Sequence, residues 1–304
     1  MRMRPFLKSR TTLIALAILV FISAASIAGP WFLPADFAYP GPDTLQPPSF
    51  RHLFGTDLSG RDILYRTLQG GRISLAVGLS AAGISLFIGC FVGLVAGYAG
   101  GNIDSFLMRF VDILYSVPRL IFILIFISLF SEYLKRFAFA HGWQWAVDAS
   151  RILILIGSLG VIEWLTMARI VRGQVLPLKE REFVHAARAL GQSTRRILAL
   201  HIWPNLVAIV VVHLTLTIPA IIIDESFLSF LGLGIQPPMT SWGAQLAEGA
   251  GTLNPVHIQW WLIVFPGFAL ALTLLALNFL GDSLRDSLDP RSTNHRHYSE
   301  ASIK

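Results

Sequence analysis

The sequence predicts an all-α membrane protein that crosses the bilayer six times, and three observations carry that prediction. Of its 304 residues 54% are hydrophobic and only 14% are charged, against roughly 25% charged in soluble domains. Apolar runs close to the roughly 20 residues that span a hydrocarbon core recur along the chain. Between the fourth and fifth runs, the stretch Glu182–Pro204 carries Arg188, Arg195 and Arg196, so it cannot lie in a bilayer core and forms a loop on one membrane face.

The first run, Thr11 to about Ala28, follows a tail with four basic residues. Ser26-Ile27-Ala28 approximates a signal cleavage site, but the run exceeds a usual signal core, so an uncleaved first helix is expected. Residues 30–50 are rich in Pro and Gly and read as an irregular loop. The G-x-x-x-x-G of Gly55–Gly60 is followed by Arg61 and Asp62, without the Lys and Ser/Thr that a phosphate-binding loop uses on phosphate and magnesium. Its expected role is structural, with Asp57 capping a short helix over Arg61–Leu68.

A second span covers about Ser74–Tyr98. Ala81, Ser85, Gly89, Gly93 and Gly97 recur every four residues, and such a stripe lets helix backbones approach where lipid supplies no hydrophobic drive. Helix packing at Gly89, Gly93 and Gly97 is expected. A third span, Phe106–Phe130, carries a Pro118 kink, and Arg119 beside it either lines a polar pathway or snorkels. Residues 131–150 read as a polar, aromatic loop. The fourth span, Ile152–Ile170, holds Glu163, read either as paired with Arg169 or another helix or as a path residue. The fifth, Leu206–Ile223, holds His213, expected to be a hydrogen-bonded interior histidine rather than a proton relay, with Asp224-Glu225 at its outer end. Ser226–Gly234 and the following Gln236-Pro237-Pro238 and Ser241-Trp242-Gly243 can sit at membrane depth only if buried in protein or lining a cavity. Glu225, Phe230, Gly232, Gly234 and Trp242 are therefore candidates for a gate or path. The sixth span is Trp260–Leu280. Beyond it Asp282, Arg285 and Asp289 have the spacing of solvated helix pairs, and the tail after Arg291 is expected to be disordered.

The loop at 182–204 has order of its own. Phe183, Ala186, Ala187 and Leu190 fall on one helix face with Arg188 opposite, and Gly191 stops the pattern as a C-terminal glycine does. Ser193 can cap a second turn with Ile197, Leu198 and Leu200 on its apolar side. Trp203-Pro204-Asn205 then opens the next span. Two short helices with a glycine elbow make a partly apolar knob, fitted either to a socket on another protein or to an anionic lipid surface.

These residues resemble the coupling loop of binding-protein-dependent ABC importer permeases: Ala186, Ala187, Gly191 and Pro204 match its Glu-Ala-Ala, Gly and Pro pattern, with His185 where that family usually has Glu. Glu182-Phe183-Val184 and Ala186–Gly191 are similar to the dipeptide/oligopeptide/nickel branch, the C-type permease of the pair. Phe54-Gly55-Thr56-Asp57 with Gly60-Arg61-Asp62, Leu228–Gly234 with Gln236-Pro237-Pro238 and Ser241-Trp242-Gly243, and Asn278–Arg291 resemble further signatures of the same branch. The resemblance implies a type I ABC importer permease fold. It implies an ATPase-coupling loop at Glu182, Phe183, His185, Ala186, Ala187, Arg188, Leu190, Gly191 and Pro204. It also implies a second permease subunit, two ATP-binding subunits and an extracytoplasmic solute-binding protein as partners. ATP would be bound by those partner subunits and no cofactor by this chain.

Charge sets the orientation. The side holding both termini and the loop carries sixteen Lys and Arg, and the other side seven, with Arg119 unassigned, so the termini and the loop are expected in the cytoplasm. The expected organisation is a tail at 1–10, a first helix at 11–29, an extracytoplasmic loop at 30–72, a core at 73–284 with the coupling loop at 173–204, and a tail at 285–304. The net charge of +6 follows that distribution rather than a soluble basic patch, so nucleic acid is not expected as a partner, while membrane lipid is. The single cysteine, Cys90, allows no intrachain disulfide and reads as packing. Without a nucleophile–base pair, metal-ligand cluster or nucleotide loop, the chain is not expected to be an enzyme, and the resemblance implies a transport subunit of a bacterial inner membrane. The competing class is a self-contained transporter coupled to ions through Glu163, His213 or Asp224.

Overall fold

The computed structural model describes residues 9–145, 149–237, 239–252 and 258–288. Its helices are α1 (Arg10–Phe32), α2 (Ile63–Ala99), α3 (Gly101–Ser116), α4 (Arg119–Ala140), α5 (Ser150–Lys179), α6 (Glu182–Ala189), α7 (Thr194–Ile197), α8 (Trp203–Phe230), α9 (Trp242–Gly251) and α10 (Trp261–Leu288). Among the described residues the β contribution is one isolated bridge, Thr56 to Asp62. Helices α1, α2, α5, α10 and the continuous run from α7 through α8 are long and apolar enough to cross a membrane. The bent pair α3–α4 makes six if it counts as one span. The tail after Arg291, and Asp289 with its expected pairing, lie outside the described residues.

Close backbone approach organises the centre. A Cβ added to Gly89 would stand 2.5 Å from Met167 Cβ, one at Gly93 2.6 Å from the Ala168 carbonyl and one at Gly97 2.7 Å from Val175 Cβ. The stripe is thus the seam of α2 against α5, within one chain. Gly160 answers from α5, where a Cβ would meet Ile84 at 2.7 Å. Cys90 is buried in the adjoining apolar cluster. The N-terminal helix α1 lies against both α2 and α10.

Several boundaries differ from the sequence reading. Helix α2 has 37 residues, roughly 55 Å of rise, and begins at Ile63, well outside the second apolar run. Its cap is Asp62, whose side chain accepts from the Tyr65 N–H and also meets His52 Nδ1 at 2.9 Å. Asp57 does not cap. Its Oδ1 accepts the Ser59 and Arg61 N–H groups, and its Oδ2 accepts from Arg61 Nε and Arg66 Nη1, both at 2.7 Å.

Pro118 breaks the third span instead of kinking it, and α3 and α4 meet at 91°. Val117 before the proline is extended (φ −77, ψ 128), the conformation that a following pyrrolidine ring enforces. Helix α4 then continues through residues expected as loop, with Phe126 on Phe130 and Tyr133 on Phe137 at helical spacing. Likewise α8 runs on through Ser226 to Phe230, and among the described residues Leu231–Pro237 and Met239–Ser241 are irregular.

Candidate functional site

The knob between α5 and α8 is built as the glycine pattern anticipates. Helix α6 ends at a Schellman motif: Gly191, at φ +74, donates its N–H to the Arg188 carbonyl at 2.9 Å, and Gln192 donates to Ala187 at 3.1 Å. The inward face differs from the expected one. Val184 and Ala187 are buried against Ile197, Ile202 and Leu206, continuous with Val171 and Val175 of α5. Phe183, Ala186 and Leu190 point outward instead, and Leu190 is 81% exposed. The knob is therefore rooted by one apolar strip and presents another.

Polar groups frame that strip. His185 Nε2 lies 3.6 Å from Glu180 Oε2, Arg188 stacks 5.2 Å over the Tyr98 ring, and His201 Nε2 meets Gln192 Oε1 at 3.1 Å. Ser193 sits at the start of α7 without a side-chain capping bond. Leu198–Ile202 forms a π turn before α8. Pro204 has no N–H to offer the carbonyl of Leu200, so the chain widens there, and Asn205 Nδ2 donates to the His201 carbonyl at 2.7 Å.

A second constellation lies inside the helices. Arg119, first residue of α4, forms ion pairs with both Glu163 of α5 and Asp224 of α8. Glu163 thus pairs across helices with Arg119 and not with Arg169, whose guanidinium meets Asp112 at 2.7 Å over the Tyr115 ring. The helix break decides this, because it turns the first residue of α4 toward α5 and α8. Arg119 neither snorkels nor stands free. His213 differs from its expectation too: its Nε2 is buried with no hydrogen-bond partner among the described residues.

The candidate gate residues separate into two groups. Glu225 is fully buried, accepting from Ser74 at 2.9 Å and Ser229 at 2.8 Å, and so pins α8 to α2. Trp242 is buried as well and donates its indole N–H to the Thr67 carbonyl at 2.9 Å. Gly234 packs on Ser229, whereas Phe230 and Gly232 lie on the exposed turn that ends α8. Sequence reasoning missed the neighbouring buried cluster in which Arg66 binds Glu248 of α9 at 2.5 and 2.9 Å as well as Asp57. Arg66 and Glu248 lie 182 residues apart in sequence, so no local spacing announces that pair.

A bundle of apolar helices, one of them broken beside buried charges, with a rooted knob between two spans, defines a multi-pass membrane protein of the transporter class. Residues 89–294 match the inner membrane component of binding-protein-dependent transport systems, and residues 1–48 match the N-terminal transmembrane domain of oligopeptide transport permease C. The chain belongs to that family of inner-membrane transport components. It is 43% identical over 293 residues to the oligopeptide transport system permease protein OppC of Haemophilus influenzae, covering 95% of this chain and 87% of that one. It is 42% identical to the corresponding protein of Escherichia coli K12, with 95% and 89% covered. To the dipeptide transport system permease protein DppC of Bacillus subtilis it is 41% identical, with 93% and 83% covered.

Proposed function

We propose that this chain is one of two permease subunits of an ATP-driven importer that takes up peptides or a related small solute delivered by an extracytoplasmic binding protein. The observation that carries the reading is the knob. Its inner strip is continuous with α5, α8 follows directly from its second half, and its outer strip, Phe183, Ala186 and Leu190, is left for a partner. The names of the relatives support the peptide assignment. In this reading the knob docks on a cytoplasmic ATPase through Glu182, Phe183, His185, Arg188 and Leu190, and Gly191 and Pro204 shape it. Closure of the ATPases displaces the knob, α5 and α8 tilt with it, and the path changes from inward-open to outward-open by rigid-body motion. Coupling is then the difference in free energy with which the two states hold the knob.

Purification in mild detergent, identification of the co-purifying chains and an ATPase assay test this, with Gly191→Pro as control. An ATPase and a second permease that accompany the wild type, and an ATPase lost from the variant, are the expected result. A chain that purifies alone and moves solute down an ion gradient in liposomes overturns it.

A further inference from the structure

The break between α3 and α4 opens on a cavity of about 230 Å³ that also reaches α5, lined by Tyr115, Ser116, Arg119, Glu163 and Thr166 among others. Three features there favour a positive charge. Arg119 is shared by two carboxylates, Glu163, which lines the cavity, and Asp224, which stands outside its lining, so two acceptors compete for one guanidinium. Glu163 is only 8% exposed and lines the cavity itself, where low polarity strengthens its pull on a counter-charge. The last turn of α3 ends at this cavity, where the break releases the carbonyls beyond Leu114 from the helical ladder, the Ile113 and Leu114 carbonyls being taken by Ser116 Oγ and the Val117 N–H and the positive end of α4 starting alongside at Arg119. Broken helices in membrane transporters use such ends to hold cations.

Size limits the ligand. Full binding pockets hold roughly 300–1,000 Å³, so this cavity takes one end of a chain-like solute rather than a whole one. Thr166 and Ser116 offer hydroxyls, while Val117, Pro118, Ile162 and Leu165 leave the remaining wall apolar. That wall suits a backbone end with a small side chain.

We propose that this cavity binds a primary ammonium group, the free N-terminus of a short peptide in transit, with Glu163 taking the arriving cation in place of Arg119, which Asp224 retains. The inference rests on the peptide-import reading above. It assigns to three side chains of this chain a part in solute selection during passage.

The test is equilibrium dialysis of radiolabelled tri-alanine with the purified transporter complex, without added binding protein. Tri-alanine and its C-terminal amide are expected to compete, and N-acetyl-tri-alanine to compete at least about tenfold more weakly, as loss of a charge-assisted hydrogen bond predicts. Glu163→Gln and Asp224→Asn should erase that preference, whereas Asp104→Asn, in a separate pair with Arg172, should keep it. Thr166→Phe, which fills the cavity and leaves all three charges in place, should weaken every competitor and serves if the charge variants fail to fold. Equal competition by free and acetylated peptide in the wild type overturns the site, as does a Glu163→Gln complex that keeps the preference. If the intact system with its binding protein and ATP accumulates no tri-alanine while the ammonium preference persists in dialysis, the import reading fails and the cavity assignment stands.

Discussion

Gly191 holds φ +74, and no atom lies within 4 Å of the position its Cβ would take. Alanine there meets backbone strain without a clash, a cost of roughly 1 kcal/mol. Gly191→Ala should therefore speed amide hydrogen exchange across residues 182–192 by about fivefold while the global unfolding temperature stays close to wild type. Arg66 is the opposite case. It is 4% exposed and binds Glu248 bidentately as well as Asp57, while Asp57 keeps Arg61 and two backbone donors and Glu248 is partly exposed. Arg66→Ala is therefore expected to cost about 1–3 kcal/mol, the scale of lost charged hydrogen bonds, read by thermal unfolding in detergent, with Arg66→Lys recovering part of it. The conformational role of Gly191 was legible because only one residue type adopts left-handed backbone without strain. The partners of Arg66 and of Glu163 were not, because charge pairing is decided by distance in space.

Among elements, the α2–α5 seam and the α4 clasp have different duties. Gly93 faces the Ala168 carbonyl and Val171, so Gly93→Leu must push the two longest-packed helices apart. Overpacking of this kind costs about 1–3 kcal/mol, and the variant should show lower thermal stability with the knob still folded by proteolysis. Arg119 joins α4 to the two helices that flank the knob, α5 and α8. Arg119→Ala should leave those helices free to move independently. In reconstituted complexes the expected outcome is continued ATP hydrolysis with fewer solute molecules moved per ATP. An unchanged ratio would show that the clasp takes no part in transmission. Element types followed from apolar run length, but the 91° turn at Pro118 did not, since the same residue can kink a helix or end it depending on what the next turn packs against.

For the whole molecule, the asymmetry of Lys and Arg predicts the orientation. On that prediction the knob and both termini lie on the basic, cytoplasmic side and the loop between α1 and α2 on the other. Cys90 is buried, which leaves a quiet background for labelling. A membrane-impermeant maleimide should react with Phe50→Cys in intact cells and with Thr194→Cys only after permeabilisation, both positions being exposed. The reverse pattern would invert the topology and remove the knob from the compartment where ATP is hydrolysed.

Sequence alone determined the membrane class, the packing stripe of Gly89, Gly93 and Gly97, the knob with its glycine stop at Gly191, and the family resemblance. All four rest on periodicity, composition and backbone limits, which are local properties written into neighbouring residues. Tertiary structure decided which face of the knob is rooted and which is offered, because Val184, Phe183 and Leu190 are all apolar and only the packing of α5 and α8 chooses between them. It also decided that Arg119 serves Glu163 and Asp224 at once and that a cavity stands beside them. Those charges come from three helices separated along the chain, and their meeting depends on the turn at Pro118 and on the close approach of α2 to α5 and α8.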